Sequence, residues 1–167
     1  MFHRIASQLA ADAPVADAHC DVPCGIYDMR IAQYYAVSAL RQLDILNQAE
    51  SKEYSPLMLA MQISRNTSTK EEMAEKCKHA VRVIWGDFMK GDKLEKHPEA
   101  SEIAHKIMLA ASAVKQDLHR SDGEKLVELC NDFAEIFWKM KGFDTHRVIT
   151  PYEPKVEVVE PVLQSAK

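Results

Sequence analysis

The 167-residue sequence has few of the residues that break helices. It contains only five glycines and seven prolines, and the prolines lie near the two ends or between segments with a helical hydrophobic pattern. A long central stretch is therefore free to form helices. Because 47% of the residues are hydrophobic, a chain of this length can build one domain around a real core.

The sequence also lacks the features of several protein classes. No apolar run approaches the roughly 18 residues that a membrane span needs, so we expect no membrane partner. The formal net charge of −4 is mild and includes no basic stripe, which argues against nucleic acid as a partner. An anionic substrate would have to be attracted by local lysines, for which Lys78, Lys90 and Lys93 are candidates.

Residues 1–18 have some features of a leader. They end in Ala16-Asp17-Ala18, which resembles a signal-peptidase site. A secretory leader also needs an apolar stretch of about 7–15 residues, and polar residues between Ser7 and Asp12 interrupt it here. Export stays open as an alternative, but a short segment removed in the cytoplasm fits better. We therefore expect a cytoplasmic protein that a maturation protease trims.

Four segments between residues 29 and 142 carry apolar residues at every third or fourth position. Joined by short links, they predict an all-α fold, an antiparallel four-helix bundle over residues 29–142. We expect the second helical segment, which starts at Pro56, to be interrupted around Asn66-Thr67-Ser68. It would restart at a capping box made by Thr69 and Glu72.

The last helix and the tail are predicted from capping residues and prolines. Ser121 and Glu124 form a second capping box at the start of that helix, and Gly142 would stop it. Residues 143–167 contain three prolines and no hydrophobic period. The sequence therefore predicts an extended or disordered C-terminal tail.

The four cysteines fall into two kinds. Cys20 and Cys24 lie close together beside residues that favour turns, whereas Cys77 and Cys130 occur singly on apolar helical faces. Buried single cysteines behave as small hydrophobic side chains. We therefore expect Cys77 and Cys130 to belong to the core.

The most informative stretch is HCDVPCGIYD, residues 19–28. Pro23 and Gly25 prevent regular helix, so this is a compact hook. Two thiols with three residues between them can reach one metal ion if the backbone turns. Soft thiolates select late transition metals, and square-planar geometry indicates nickel or copper. A Cys-x3-Cys pair alone is equally compatible with a disulfide hairpin or half of a zinc site, although no second pair with zinc-like spacing exists.

The histidine directly before the first cysteine sharpens this interpretation. If the bond between Ala18 and His19 is cut, residue 19 gains a free α-amine whose pKa, about 7.7–8.0, allows a metal to displace the proton. This amine, the amide nitrogen of Cys20 and the thiolates of Cys20 and Cys24 would make an N2S2 plane. The imidazole of His19 could be a fifth ligand above that plane.

These residues resemble a known family. HCDVPCGIYD matches the fixed positions of the nickel-hook signature of nickel superoxide dismutases, HCDxPCGxYD. The segment HAVRVIWGDF, residues 79–88, and the later landmarks His97-Pro98-Glu99 and Ile136-Phe137-Trp138-Lys139 are also similar to that family. The resemblance covers roughly residues 19–141.

The resemblance implies a function and roles for the residues of the hook. The chain would convert two superoxide anions and two protons into dioxygen and hydrogen peroxide by cycling one nickel ion per subunit between Ni(II) and Ni(III). His19, Cys20 and Cys24 would be the metal ligands. Tyr27 and Asp21 would lie beside the open axial face, position water and deliver protons. The resemblance also implies a homohexamer of helical bundles, with each hook held against adjacent subunits.

The sequence departs from the family at two positions. In the family, a glutamate on the first helix and an arginine on the second commonly support the axial imidazole. The matching positions here are Ala32 and Met73, which cannot form that polar pair. Because such partners orient a metal-bound imidazole, we expect Gln33 or a backbone carbonyl to substitute. The tail beyond Gly142 is the other departure.

Two other classes of function are open on the residues alone. One is a non-enzymatic helical module in which Cys20 and Cys24 form a disulfide or a zinc site. The other is a metal-trafficking protein that holds nickel without turnover. Neither class needs a histidine at position 19, whereas the dismutase requires it.

Overall fold

The computed structural model describes residues 25–164, which form a helical body followed by a small sheet. The four long helices are α1 (Arg30–Asn47), α2 (Pro56–Val83), α4 (Glu99–Gln116) and α5 (Arg120–Met140). A one-turn 3-10 helix (Ala49–Ser51) follows α1, a π-helical turn (Ile84–Phe88) continues α2, and the short helix α3 (Asp92–Lys96) comes before α4. Among these residues, no helix is both long and apolar enough to cross a membrane.

The four long helices pack around one core. Helix α1 packs against α2 and α5, and α4 packs against the same two helices. Their apolar faces supply a continuous set of buried side chains, in which Phe133, Phe137, Leu40, Leu43 and Ile107 are among the largest fully buried ones. The hydrophobic period that predicted four helical segments is thus the period of the side chains that face this core.

Helix α2 is continuous where an interruption was predicted. It passes through Asn66-Thr67-Ser68 without a break. The amide of Asn66 donates to the carbonyl of Gln62 at 2.6 Å, and the hydroxyl of Thr69 donates to the carbonyl of Arg65 at 2.9 Å. These side chains bond to the preceding turn of their own helix instead of capping a new one. The prediction of a capping box at Thr69 is therefore wrong.

The middle of α2, just after these residues, is joined to α4 by a buried lysine. The side chain of Lys70 is only 2% exposed, and its ammonium donates to the carbonyls of Asp117 at 2.6 Å and Lys115 at 3.3 Å. Those carbonyls lie at the C-terminal end of α4, where the helix dipole favours a positive charge. Burial lowers the pKa of Lys70, although the negative charges of Glu71 and Asp117 act in the opposite direction.

The sequence predicted the C-terminal end of α5 correctly but not the cap at its N-terminal end. The helix begins at Arg120, so Ser121 lies inside the first turn and its hydroxyl makes no cap. At the other end, Gly142 has a positive φ of 80°. Its N–H donates to Lys139, and the N–H of Phe143 donates to Trp138, each at 3.0 Å. This is a Schellman motif, and the predicted stop at Gly142 is confirmed.

The C-terminal segment forms an antiparallel pair of strands that the sequence did not indicate. Strand β1 (Thr145–Ile149) pairs with β2 (Glu157–Pro161), with Arg147 opposite Val159. The N–H of Val162 donates to the carbonyl of Asp144 at 2.8 Å and closes the base. We call residues 144–162 the hairpin. No residue of β1 is buried, and in β2 only Val159 and Pro161 are, so the alternation extends over too few residues to reveal the strands in the sequence.

Candidate metal centre

The described part of the predicted hook is its exit into α1. The expected metal ligands His19, Cys20 and Cys24, the expected proton-delivery residue Asp21 and the leader 1–18 all lie outside the described residues. Gly25, Ile26, Tyr27 and Asp28 lie inside them. Within residues 25–164, no group of three or more histidine, cysteine or acidic side chains could hold a metal ion.

The backbone turns tightly where the hook meets α1. Gly25 has a positive φ of 72°, a conformation that favours glycine, and its carbonyl accepts the N–H of Tyr27 at 3.2 Å. Asp28 lies two residues before the first residue of α1, and its carboxylate accepts the N–H of Arg30 at 2.9 Å. This turn sets the backbone direction of residues 25–28, which lead into α1.

The carboxylate of Asp28 is also paired with the side chain of Arg30. The Arg30 Nε donates to both carboxylate oxygens, at 2.9 and 3.0 Å. Partial burial by itself raises the pKa of Asp28, but the hydrogen bonds and the positive charge of Arg30, with a contribution from Lys141, outweigh it and hold that pKa below its ordinary value. Asp28 is therefore a carboxylate at neutral pH.

Tyr27 belongs to a row of aromatic rings. Its half-buried ring lies with its centroid 5.5 Å from that of Phe88 in the π-helical turn after α2. Phe88 contacts Phe137 at 5.1 Å, and Phe137 contacts Trp138 at 4.8 Å, both edge to face. Phe143 ends the row, 6.0 Å from Trp138. Such contacts fix ring positions through many small attractions, so the row ties Tyr27 to the core of the helical body.

Lys141 makes a second connection, which sequence reasoning missed. Its ammonium donates to the backbone carbonyl of Tyr27 at 3.2 Å, across 114 positions of sequence. The same ammonium lies 5.2 Å from the ring centroid of Phe137 and 5.8 Å from that of Phe88. No local pattern links Lys141 to Tyr27 or Phe88, since these two residues lie in other elements and only Phe137 belongs to the helix that Lys141 follows. Only its position directly before the helix stop at Gly142 could have drawn attention to it.

The lysines proposed to attract an anion have different surroundings. Lys78 points away from this region, because its ammonium donates to Ser112 on α4 at 2.6 Å. Lys93 lies 3.7 Å from the ring centroid of Phe88, the ring that contacts Tyr27, and donates to the Phe88 carbonyl at 3.3 Å. Lys93 therefore adds positive charge next to the exit of the hook.

An open cleft of about 410 Å³ adjoins Tyr27, between the start of α1 and the end of α2. Its walls are largely apolar, and they include the exposed residue His79, which resembled a histidine of the family. Ile26 and Ile31, at its edge, are 81% and 54% exposed. The described residues thus leave an apolar surface beside the place where the hook joins α1.

The two positions that depart from the family face the core. Ala32 is fully buried, and Met73 packs against the buried cluster, so no polar pair exists there. The side-chain nitrogen of Gln33 donates to Asn131 at 3.0 Å and to the carbonyl of Val159 at 3.1 Å. Both of its amide hydrogens are thereby used. The substitution of Gln33 for the missing imidazole partner stays a prediction, and only its carbonyl oxygen is left for that role.

The comparisons with known proteins identify the family. The family model for nickel-containing superoxide dismutase matches residues 14–141. The chain belongs to this family. The superoxide dismutase [Ni] of Streptomyces coelicolor is 31% identical over 135 residues, which cover 81% of this chain and 97% of that protein. The corresponding enzyme of Streptomyces seoulensis is 33% identical over the same length and coverage.

A solved structure agrees with the fold. The native structure of nickel superoxide dismutase superposes on this chain with a TM-score of 0.65 and 31% sequence identity, covering 74% of this chain and 99% of that one. The resemblance that the sequence indicated is confirmed. The family match ends at residue 141, so the hairpin lies beyond the part of the chain that the family accounts for.

Proposed function

We propose that this chain, cleaved before His19, is a cytoplasmic nickel-dependent superoxide dismutase that converts two superoxide anions and two protons into dioxygen and hydrogen peroxide. The observation that carries the proposal is that the family match contains the whole hook motif, residues 19–28. That motif also leads directly into the turn at Gly25 and the anchored residues Tyr27 and Asp28.

The donor set of the hook fits nickel. Two thiolates from Cys20 and Cys24, a terminal amine and the imidazole from His19, and the amide nitrogen of Cys20 combine soft sulfur with strong nitrogen donors. Nickel bound by these donors would supply one-electron redox chemistry between the +2 and +3 states, which the disproportionation of superoxide requires. The terminal amine exists only after cleavage, so a maturation protease is part of the proposal.

The residues around the hook would control access and protons. Tyr27, fixed by the ring of Phe88 and by the bond from Lys141 to its carbonyl, would limit the site to small molecules and order water. Asp21 would position the same water for proton delivery. Because the net charge is −4, attraction of the superoxide anion falls to local cations, of which Lys93 and Lys141 lie closest to Tyr27 along the aromatic row.

We propose that the four long helices form the antiparallel four-helix bundle of the family and that the protein is a homohexamer. The support is the apolar cleft of about 410 Å³ beside the hook exit, together with the exposed Ile26 and Ile31 at its edge. Apolar surface of this kind is typical of an interface. Neighbouring subunits would cover it and hold the hook against the bundle. Light scattering after size-exclusion chromatography measures this assembly.

The decisive experiment is native mass spectrometry of the protein purified from its own cells, reporting the first residue and the bound metal together. We expect His19 as the first residue and about one nickel per chain. A matched recombinant sample that retains residues 1–18 should bind little nickel and have no activity, because its His19 nitrogen is an amide. Full activity with residues 1–18 attached would contradict the proposal. Zinc or no metal would favour the non-enzymatic module, and nickel without turnover would favour a trafficking protein.

A further inference from the structure

The hairpin is joined to the start of α1 by a buried polar network. Gln33, in the first turn of α1, donates to the side-chain oxygen of Asn131 on α5 and to the backbone carbonyl of Val159 on β2, at 3.0 and 3.1 Å. Asn131 also accepts the N–H of Val159 at 3.2 Å and donates to the carbonyl of Glu157 at 3.0 Å. Gln33, Asn131 and Val159 are at most 3% exposed.

This network of buried hydrogen bonds joins α1, α5 and β2 in one arrangement. Buried amides and carbonyls lose free energy when a partner is missing, so each of the three elements depends on the other two. The outer edge of β2 is paired by the side chains of α1 and α5 and not by another strand. The hairpin is therefore built onto these two helices.

Opposite charges also face each other where β2 lies beside the start of α1. Hydrogen bonding to Asp28 raises the pKa of Arg30, and the negative charge of Glu160 on β2 adds to the effect. Arg30 and Glu160 both border a small cleft of about 80 Å³ between β2 and α1. Arg30, which donates to Asp28, therefore lies on the side of α1 that faces β2.

The other strand fixes the hairpin to α5 from outside. The guanidinium of Arg147 on β1 donates to Glu128 at 3.0 Å and to Glu135 at 3.3 Å, and it lies 3.6 Å from Glu157. Arg147 has no contact of this kind with α1. Several carboxylates around one arginine form a network, which is worth more than a single surface pair.

We propose that the hairpin is a positioning element for the metal hook, in which Gln33 and Asn131 hold the first turns of α1 in place against α5. The hairpin would keep Tyr27 and Asp28 in register with the aromatic row by restraining the helix that follows them. The effect on the hook rests on the function proposed above, whereas the restraint on α1 does not.

Hydrogen exchange of the metal-free full chain tests the restraint directly. Gln33→Met removes the amide at nearly constant volume, and we expect amides in the first half of α1 to exchange about tenfold faster. The sharper variant is Arg147→Gln, which loosens the hairpin without touching α1. It should speed exchange in the same part of α1 by about threefold or more, since the hairpin transmits the change. Ile149→Ser, at an exposed hairpin position, is the matched control and should leave α1 unchanged.

A second measurement separates this proposal from the first. In nickel-loaded protein, Gln33→Met and Arg147→Gln should release nickel about tenfold faster than Ile149→Ser, as expected when groups that orient a metal site are disturbed. Unchanged exchange in α1 for both variants would overturn the restraint, whether or not the protein binds nickel. Faster exchange in α1 with unchanged nickel release would overturn the role in positioning the hook.

Discussion

The two pairs of cysteines are built in opposite ways. Cys20 and Cys24 are separated by three residues and stand beside Pro23 and Gly25 in the hook motif. Cys77 on α2 and Cys130 on α5 are 53 positions apart, yet their Sγ atoms are 3.6 Å from each other in the core. The first pair is close in the sequence. The second pair is far apart in the sequence and meets only because α2 packs near α5.

This difference decides what each pair can do. Both core thiols are free and fully buried. The contact with Cys77 and the loss of solvent raise the pKa of Cys130 well above its ordinary value. A thiol that stays protonated is a poor nucleophile and a poor metal ligand. The prediction that Cys77 and Cys130 pack as hydrophobic side chains is confirmed for burial, but they are neighbours and not single cysteines.

Serine substitutions in the two cysteine pairs should differ most in their effect on the rate of superoxide dismutation. Cys20→Ser or Cys24→Ser should lower superoxide dismutation by about 100-fold or more, because a neutral hydroxyl does not replace a thiolate. Bound nickel and stopped-flow decay of superoxide are the measurements. Cys77→Ser is the matched control and should keep both nickel and turnover per nickel. A hook variant that keeps its turnover would contradict the assigned ligands.

A substitution at His19 tests whether the two thiols suffice. His19→Gln keeps the terminal amine and removes the imidazole, so we expect Ni(II) to stay bound while the dismutation rate falls about 10- to 100-fold. The nickel content and the rate are measured on the same sample. His79→Gln, in the cleft beside Tyr27, should change the rate little. Equal rates for wild type and His19→Gln would remove the axial role.

Substitutions of the core cysteines should change the free energy of unfolding, whereas substitutions of the hook cysteines should change catalysis. Cys77→Ala or Cys130→Ala leaves a small void between α2 and α5, and we expect the free energy of unfolding to fall by about 1–3 kcal/mol. Urea denaturation of the metal-free protein gives this value. Cys20→Ala, measured in the same way, should unfold at the wild-type urea concentration. A core variant as stable as wild type would show that the two sulfurs contribute no packing.

The smallest expected effect is the loss of folding stability that the core thiols cause at alkaline pH. The raised pKa of Cys130 means that the folded state keeps a proton that the unfolded state releases, so this stability is present below the ordinary thiol pKa and is lost as the pH rises above it. Between pH 7 and pH 9 we expect a loss of about 1 kcal/mol from this thiol. Other groups also titrate, so the measurement is the difference from Cys130→Ala, which should lose less over the same interval. Identical pH dependence would contradict the burial effect.

The helical part of the fold was predictable because a helix repeats its environment every few residues. The segments ending at Leu46 and Gly142 follow directly from that period. Polar residues within α2 were misread, since Asn66 and Thr69 have partners within their own helix that composition alone cannot distinguish from caps. The hairpin was missed for a related reason, because Val159 is buried only through the packing of β2 against α1 and α5, which no local pattern indicates.

The sequence by itself determined the metal chemistry that we propose, because the proposed donors of the hook all lie within six consecutive residues. Their spacing alone indicates that they can bind one ion. The sequence also determined the helical periods. Only the tertiary structure decided which distant residues meet: Lys141 with Tyr27, Cys77 with Cys130, and Gln33 with Asn131 and Val159. These contacts span from 53 to 126 positions. Each forms because four helices bury a shared core, and no local pattern records which side chains that burial will bring together.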